Sequence, residues 1–132
     1  VRLNKYALGV KMAETVPPEL QQQVIKYQQL QAQLNQVLAE KGVIEQELRE
    51  INRALDVLKN VADNVEMYKS AGHLLVRVSK SDAEKELNER KELLELRLKT
   101  LSRQEALIRQ QLSEIQAKLT QYASSLYKKS TQ

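Results

Sequence analysis

The sequence predicts a mostly α-helical chain, a long antiparallel two-helix coiled coil joined by one short β-hairpin. Three observations predict it. Two long heptad registers flank the middle of the chain, a short stretch between them alternates like paired strands, and the two registers pair about a single point. In the first half, Leu20, Tyr27, Leu34, Lys41, Leu48, Leu55 and Ala62 recur every seven residues. They interleave with Gln23, Leu30, Val37, Ile44, Ile51, Leu58 and Val65, and twelve of the fourteen are apolar. In the second half, Leu87, Leu94, Leu101, Ile108, Ile115 and Tyr122 interleave with Lys91, Leu98, Glu105, Leu112, Leu119 and Leu126, and ten of the twelve are apolar. Apolar spacing of this kind, sustained over many turns, is the signature of a coiled coil, because slight supercoiling keeps one seam against its partner.

Pro17-Pro18 opens the first helix, since the missing proline N–H has no intrahelical partner in the first turn. That helix is expected over about residues 17–60. At the standard rise, about 43 residues make a rod of roughly 65 Å. Gly42 lies within it and costs about 1 kcal/mol relative to Ala. The hairpin is expected over about residues 65–79, with the turn at Ser70-Ala71-Gly72. There Leu74, Val76 and Val78 alternate with Leu75 and Arg77 downstream of the turn. The second helix is expected over about residues 82–127, opened by Ser81 and Glu84 at capping-box spacing. Residues 128–132 are polar and expected to fray. Residues 1–15 read as a disordered N-terminal extension. Met12-Ala13-Glu14 looks like a natural beginning, which makes residues 1–11 upstream or added sequence.

Antiparallel pairing of the registers places Leu20 against Tyr122, Leu34 against Ile108, Leu48 against Leu94 and Leu55 against Leu87. Every pair is centred on residue 71, so the fold-back is expected at Ala71-Gly72. The same pairing puts Lys41 one layer from Glu105. That arrangement suggests a partly buried ion pair that fixes register at some cost in stability. The competing reading has both side chains reaching water independently.

Composition fits this architecture. The 132 residues contain no Phe, Trp or Cys, and only three Gly and two Pro. Without Cys there is no disulfide, thiolate metal site or Cys nucleophile. The single His73 falls at the hairpin turn, and neither a phosphate-cradling loop nor a Ser–His or paired-carboxylate arrangement is present. No cofactor or metal is indicated, and the chain does not read as an enzyme. The net charge is +4, but charges of both signs are interspersed. Eleven of eighteen residues between Asp82 and Lys99 are charged, with mixed sign, which describes a solvated helix face better than a nucleic-acid surface. No apolar run approaches the ~20 residues of a membrane span.

Two surfaces remain for function. The hairpin carries Met67, Tyr68, Leu74, Leu75, Val76 and Val78. A two-stranded ribbon is marginal alone and its free edges invite further strands. It is therefore expected to complete a sheet or barrel with hairpins of other subunits, the alternative being a cap folded onto its own helices. The second surface is formed by the helix ends farthest along the chain from the hairpin. From Leu20 to Ala39 the sole charged residue is Lys26, and half of the residues from Gln21 to Gln36 are Gln. From Gln110 to Tyr127 only Glu114 and Lys118 are charged. Val16, Val24, Ile25, Ala123 and Tyr127 extend the apolar character beyond the seam. Apolar groups rimmed by uncharged polar ones mark interaction sites, and Gln pairs with donors and acceptors alike, which favours tolerance of partners. Frayed ends with no partner are the bland alternative.

The run Tyr68-Lys69-Ser70-Ala71-Gly72-His73-Leu74-Leu75-Val76 resembles the Tyr-Lys-x-x-Gly-x-Leu-(Leu/Ile)-Val pattern of beta-class prefoldin subunits. Ala83-Glu84-Lys85-Glu86-Leu87 and Leu101-x-Arg103-Gln104-Glu105 also fit, and the resemblance covers Pro17 to about Tyr127. The connection has room for one hairpin, whereas alpha-class subunits carry two. The resemblance implies a single prefoldin-like domain over residues 16–127, a cytoplasmic and archaeal setting, and a hexamer of two alpha-class and four beta-class subunits. In that hexamer the hairpins form an intersubunit β-barrel. It further implies an ATP-independent chaperone, a holdase, that captures unfolded client proteins and delivers them to a group II chaperonin. Carried onto this chain, client contacts fall on Val16, Leu20, Val24, Ile25, Leu119, Tyr122, Leu126 and Tyr127. Assembly contacts fall on Met67, Tyr68, Gly72, Leu74, Leu75, Val76 and Val78. A structural coiled-coil arm or scaffold with one specific partner is the competing reading, and a nucleic-acid arm a weaker third.

Overall fold

The computed structural model describes residues 16–131. The extension expected over residues 1–15 and the last residue, Gln132, lie outside the described residues. The elements follow in the order α1 (Pro18–Lys59), β1 (Met67–Ala71), β2 (Leu74–Val78) and α2 (Lys80–Thr131). Two long helices joined by a short antiparallel hairpin is thus the fold class that the heptads and the alternating stretch predict.

The helix ends explain where each element starts and stops. Pro18 is the first helical residue of α1, and the Pro17 carbonyl accepts from the backbone N–H groups of Leu20 and Gln21 at 3.0 and 3.2 Å. At the other end, Asn60 N–H donates to the Val57 carbonyl at 3.1 Å and Val61 N–H to the Leu58 carbonyl at 3.2 Å. These tighter bonds close the last turn and satisfy carbonyls that a helix end leaves open. Lys80 Nζ donates to the Val61 carbonyl at 2.7 Å, so the first residue of α2 ties off the segment that follows α1.

The start of α2 corrects the expected cap. The helix begins at Lys80, and Ser79 is its cap: Ser79 Oγ accepts from Asp82 N–H at 3.0 Å. Ser81 lies inside the first turn. The capping residues are therefore Ser79 and Asp82, two positions before Ser81 and Glu84. At the C-terminus, the segment expected to fray is helical through Thr131.

The turn is also displaced from its expected place. Met67 pairs with Val78, Lys69 with Val76, and Ala71 with Leu74. Ser70 and Ala71 are strand residues, and the two-residue turn is Gly72-His73 rather than Ala71-Gly72. Gly72 has φ of 60°, and among the described residues no other residue has positive φ. A glycine with positive φ at the first central position alone is the mark of a type II′ turn, whose twist matches that of the flanking strands.

Contacts divide the described residues into two compact units. One combines residues 16–36 with 105–131, and the other spans Val37–Gln104. In the second unit, Ile44, Ile51, Leu94 and Leu101 form a buried cluster, with Val37, Leu48, Leu55, Leu87 and Leu98 packed against it. In the first unit Leu30, Ile108 and Ile115 are buried. Every expected seam residue is buried or half-buried except Ala62 and Val65, which lie beyond the end of α1.

The two interleaved series are unequal in depth. On α1 the deep positions are Leu30, Ile44, Ile51 and Leu58; on α2 they are Leu94, Leu101, Ile108 and Ile115. Lys41, Lys91 and Glu105 all fall in the shallower series and are half-buried. That placement lets a charged head reach water while its stem covers apolar surface. Glu105 accepts from Arg109 Nε of its own helix at 2.8 Å. Lys41 and Glu105 belong to different units.

Candidate functional site

The hairpin is held against the helices of its own unit at its base and stands clear toward its tip. Met67 and Val78, opposite each other at the base, are half-buried. Lys69 Nζ reaches Glu86 of α2 with bonds of 3.0 and 2.9 Å, and Arg77 pairs with Glu66 at 3.5 Å. Toward the turn, Leu74 and Leu75 are 68% and 74% exposed, and Tyr68, Gly72 and Val76 are exposed as well. Successive strand side chains alternate between faces. Leu74, Val76, Val78 and Met67 therefore share one face, and Tyr68 and Leu75 the other. Apolar side chains on both faces cannot all be covered by one pair of helices.

The hydrogen-bonding edges are open too. The sheet has two strands among the described residues. In a two-residue hairpin the residues flanking the turn, Ala71 and Leu74, exchange their hydrogen bonds, and the pairs alternate from there. Tyr68 and Ser70 on β1, and Leu75 and Arg77 on β2, consequently turn their backbone groups outward. Each edge can accept a further strand.

Beneath the hairpin lies a cleft of about 380 Å³, walled by Ala54, Val57 and Leu58 of α1, Met67 to Lys69 and Val78 of the hairpin, and Ala83, Glu86 and Leu87 of α2. The cleft is formed only when the chain folds, and no local motif in the sequence announces it.

The eight residues expected to contact clients all lie in the first unit. Val24 is 39% exposed, Ile25 54% and Tyr127 72%. Val16, Leu20, Leu119, Tyr122 and Leu126 are half-buried. The seam therefore absorbs part of this group, and Val24, Ile25 and Tyr127 carry the exposed apolar surface.

Exposed apolar residues also occur away from the helix ends, at Val43, Val57, Leu93, Leu96 and Leu107. The seam pattern passed over them because they fall at off-seam heptad positions, which is the signal that could have found them. Val43, Leu93 and Leu96 line a groove crossed by two arginine–glutamate bridges, of which Arg90–Glu47 uses both carboxylate oxygens and Arg97–Glu40 one. Arg90 contacts Glu47 at 3.0 and 3.2 Å, and Arg97 contacts Glu40 at 3.0 and 2.8 Å. The hydrogen bond to Glu47, and then its negative charge, raise the Arg90 pKa above its ordinary value. What distinguishes the helix ends is therefore their lack of charge, not a monopoly on exposed apolar side chains.

Among the described residues there is no group of His, Cys, Asp and Glu able to hold a metal ion, and no helix is long and apolar enough to cross a membrane.

Comparison with known proteins agrees with these features. A family model described as prefoldin subunit matches residues 21–125. The chain is 50% identical over 116 residues to the prefoldin subunit beta of Saccharolobus islandicus, an alignment that covers 88% of this chain and 92% of that protein. It is 48% identical over 116 residues to the prefoldin subunit beta of Sulfolobus acidocaldarius, with 88% and 93% covered. It matches the crystal structure of the prefoldin beta subunit from Thermococcus strain KS-1 with a TM-score of 0.76 at 34% identity, over 82% of this chain and 95% of that one. The beta2 subunit from the same strain, at 20% identity and a TM-score of 0.63, shares the fold. With its single hairpin between two heptad-patterned helices, the chain belongs to the prefoldin subunit family, as a member of its beta class with a chaperone-associated role.

Proposed function

We propose that the chain is one subunit of an ATP-independent holdase, which captures non-native proteins at the charge-poor helix ends. The observation that carries this reading is the exposure of Val24 and Ile25 in a stretch where Lys26 is the sole charge from Leu20 to Ala39. Such a surface buries apolar groups of a client without demanding a charge pattern from it. A few side chains, at about 25 cal/mol per Å², bind weakly. Several copies acting on one client bind tightly, because each further contact is intramolecular. Each contact also releases easily, which suits a protein that passes its client to another machine. A group II chaperonin is the recipient in this reading.

The copies are brought together by the hairpin. Its open edges and two-faced apolar content support assembly with alpha-class prefoldin subunits and further beta-class copies into a hexamer of two alpha and four beta chains, the hairpins closing an intersubunit β-barrel.

The double substitution Ile25→Ser with Leu126→Ser tests the capture surface. Native mass spectrometry with an alpha-class partner should still show the hexamer, while suppression of client aggregation falls. Unchanged suppression would exclude these helix ends as the client site.

A further inference from the structure

We propose that the cleft beneath the hairpin is a socket that receives the exposed apolar end of the hairpin, the strand segment Leu74–Val76, from a second copy of this chain. The inference rests on the assembly reading above and names a contact within it.

Two features of the chain are complementary. The cleft offers about 380 Å³ of mainly apolar space between Val57 and Leu87 of the helices and Met67 and Val78 of the hairpin base. The hairpin offers Leu74 on one face and Leu75 on the other, both more than two-thirds exposed, so whichever face meets the cleft brings one leucine to it. A monomer leaves the hole empty and the knobs in water, and it cannot fill one with the other, because the knobs and the wall of the hole are parts of the same short hairpin. A second copy can. Such a contact is heterologous, one patch on each chain meeting a different patch on the next, and contacts of this kind generate closed rings when the rotation between copies is right.

Strand geometry points to the same occupant. Met67, Tyr68 and Lys69 of β1 all border the cleft, and the Tyr68 backbone groups point out from the open edge. A strand adding to that edge runs along the mouth of the cleft, and an extended segment with an apolar side chain is what the socket accepts. Leu74–Val76 supplies both the strand and the side chains. Lys69 and Glu86, bonded at 2.9 Å, tie the hairpin to α2 at the border of the cleft.

Val57 allows a clean test, because it is 60% exposed in the monomer and belongs to a helix rather than to a strand edge. Val57→Asp should retain helix content by circular dichroism and lose the hexamer in native mass spectrometry with the alpha-class partner. Val43→Asp, at an equally exposed helix position away from the hairpin, should assemble as the unmodified chain does. Because the chain has no cysteine, crosslinking gives the second measurement. A Val57→Cys chain mixed with the alpha-class subunit and either a Leu74→Cys or a Leu75→Cys chain, then oxidised, should form the mixed disulfide with the leucine position whose face meets the cleft, and a Val43→Cys chain in place of Val57→Cys should form it with neither. A hexamer that tolerates Val57→Asp and yields no mixed disulfide overturns the socket and leaves the assembly reading standing. If the unmodified chain forms no assembly, the assembly reading fails and the socket fails with it.

Discussion

At the scale of single residues, two positions carry sharp expectations. Ser79 satisfies an N–H in the first turn of α2, and loss of such a cap costs about 1 kcal/mol. Ser79→Ala should lower the melting temperature accordingly, and Ser81→Ala should leave it nearly unchanged. Equal losses in the two variants would reassign the cap. The serine-rich start of α2 was legible as a helix opening, but the choice between Ser79 and Ser81 was not. Both precede an acidic residue by three positions, and only the hydrogen bond decides between them. Gly42 gives the second expectation. It lies inside α1, and nothing stands within 4 Å of where a Cβ would be added. Gly42→Ala should therefore stabilise the chain by about 1 kcal/mol, the difference in helix propensity, read as a rise in the urea midpoint. Gly72 has the same open surroundings but a φ of 60°, so the strain of an added Cβ there is one of backbone conformation.

At the scale of elements, the antiparallel pairing of the helices within the second unit is recorded by the bridges Glu40–Arg97 and Glu47–Arg90. The partners step by seven residues in opposite directions, as one constant antiparallel register requires. Each Glu immediately precedes a shallow seam residue, and each Arg lies four residues before a deep one. Charge at these flanking positions sets partner choice and orientation more than stability. Arg97→Glu should lower stability by about 0.5 kcal/mol, the ordinary scale of exposed pairs, and adding Glu40→Arg should restore most of it in a double-mutant cycle. A loss that the second substitution does not recover would mean that Arg97 acts through packing of its stem over the groove. The heptads showed which residues form the seam, since periodicity is a local property of sequence. They could not show that one series on each helix is deeper than the other, because depth depends on how the two helices rotate toward each other.

For the molecule as a whole, the distribution of charge bears on what the chain binds. The interspersed charges near the hairpin pair with one another, as Lys69–Glu86 and Arg90–Glu47 do. The helix ends of the first unit are poor in charge and display Val24 and Ile25. On the proposed reading, capture of an unfolded protein there would be apolar, and suppression of client aggregation should persist from low to high salt. Nucleic-acid binding would instead weaken steeply, because it depends on release of counterions from phosphates. A steep loss of activity with salt would favour the nucleic-acid arm.

The two helices, the single hairpin, the antiparallel pairing and the resemblance to prefoldin beta subunits could be read from the residues alone. All of these follow from periodicity, turn chemistry and short motifs, which act over a few residues at a time. The turn at Gly72-His73, the Ser79 cap, the deeper series of the seam and the cleft beneath the hairpin emerge only in the folded chain. The turn and the cap rest on local backbone geometries that more than one neighbouring residue could have adopted, the depth of the seam on how the two helices rotate toward each other, and the cleft on the docking of the hairpin, held where Lys80 meets the Val61 carbonyl and Lys69 meets Glu86. Those contacts join residues about twenty positions apart, beyond the reach of any local pattern.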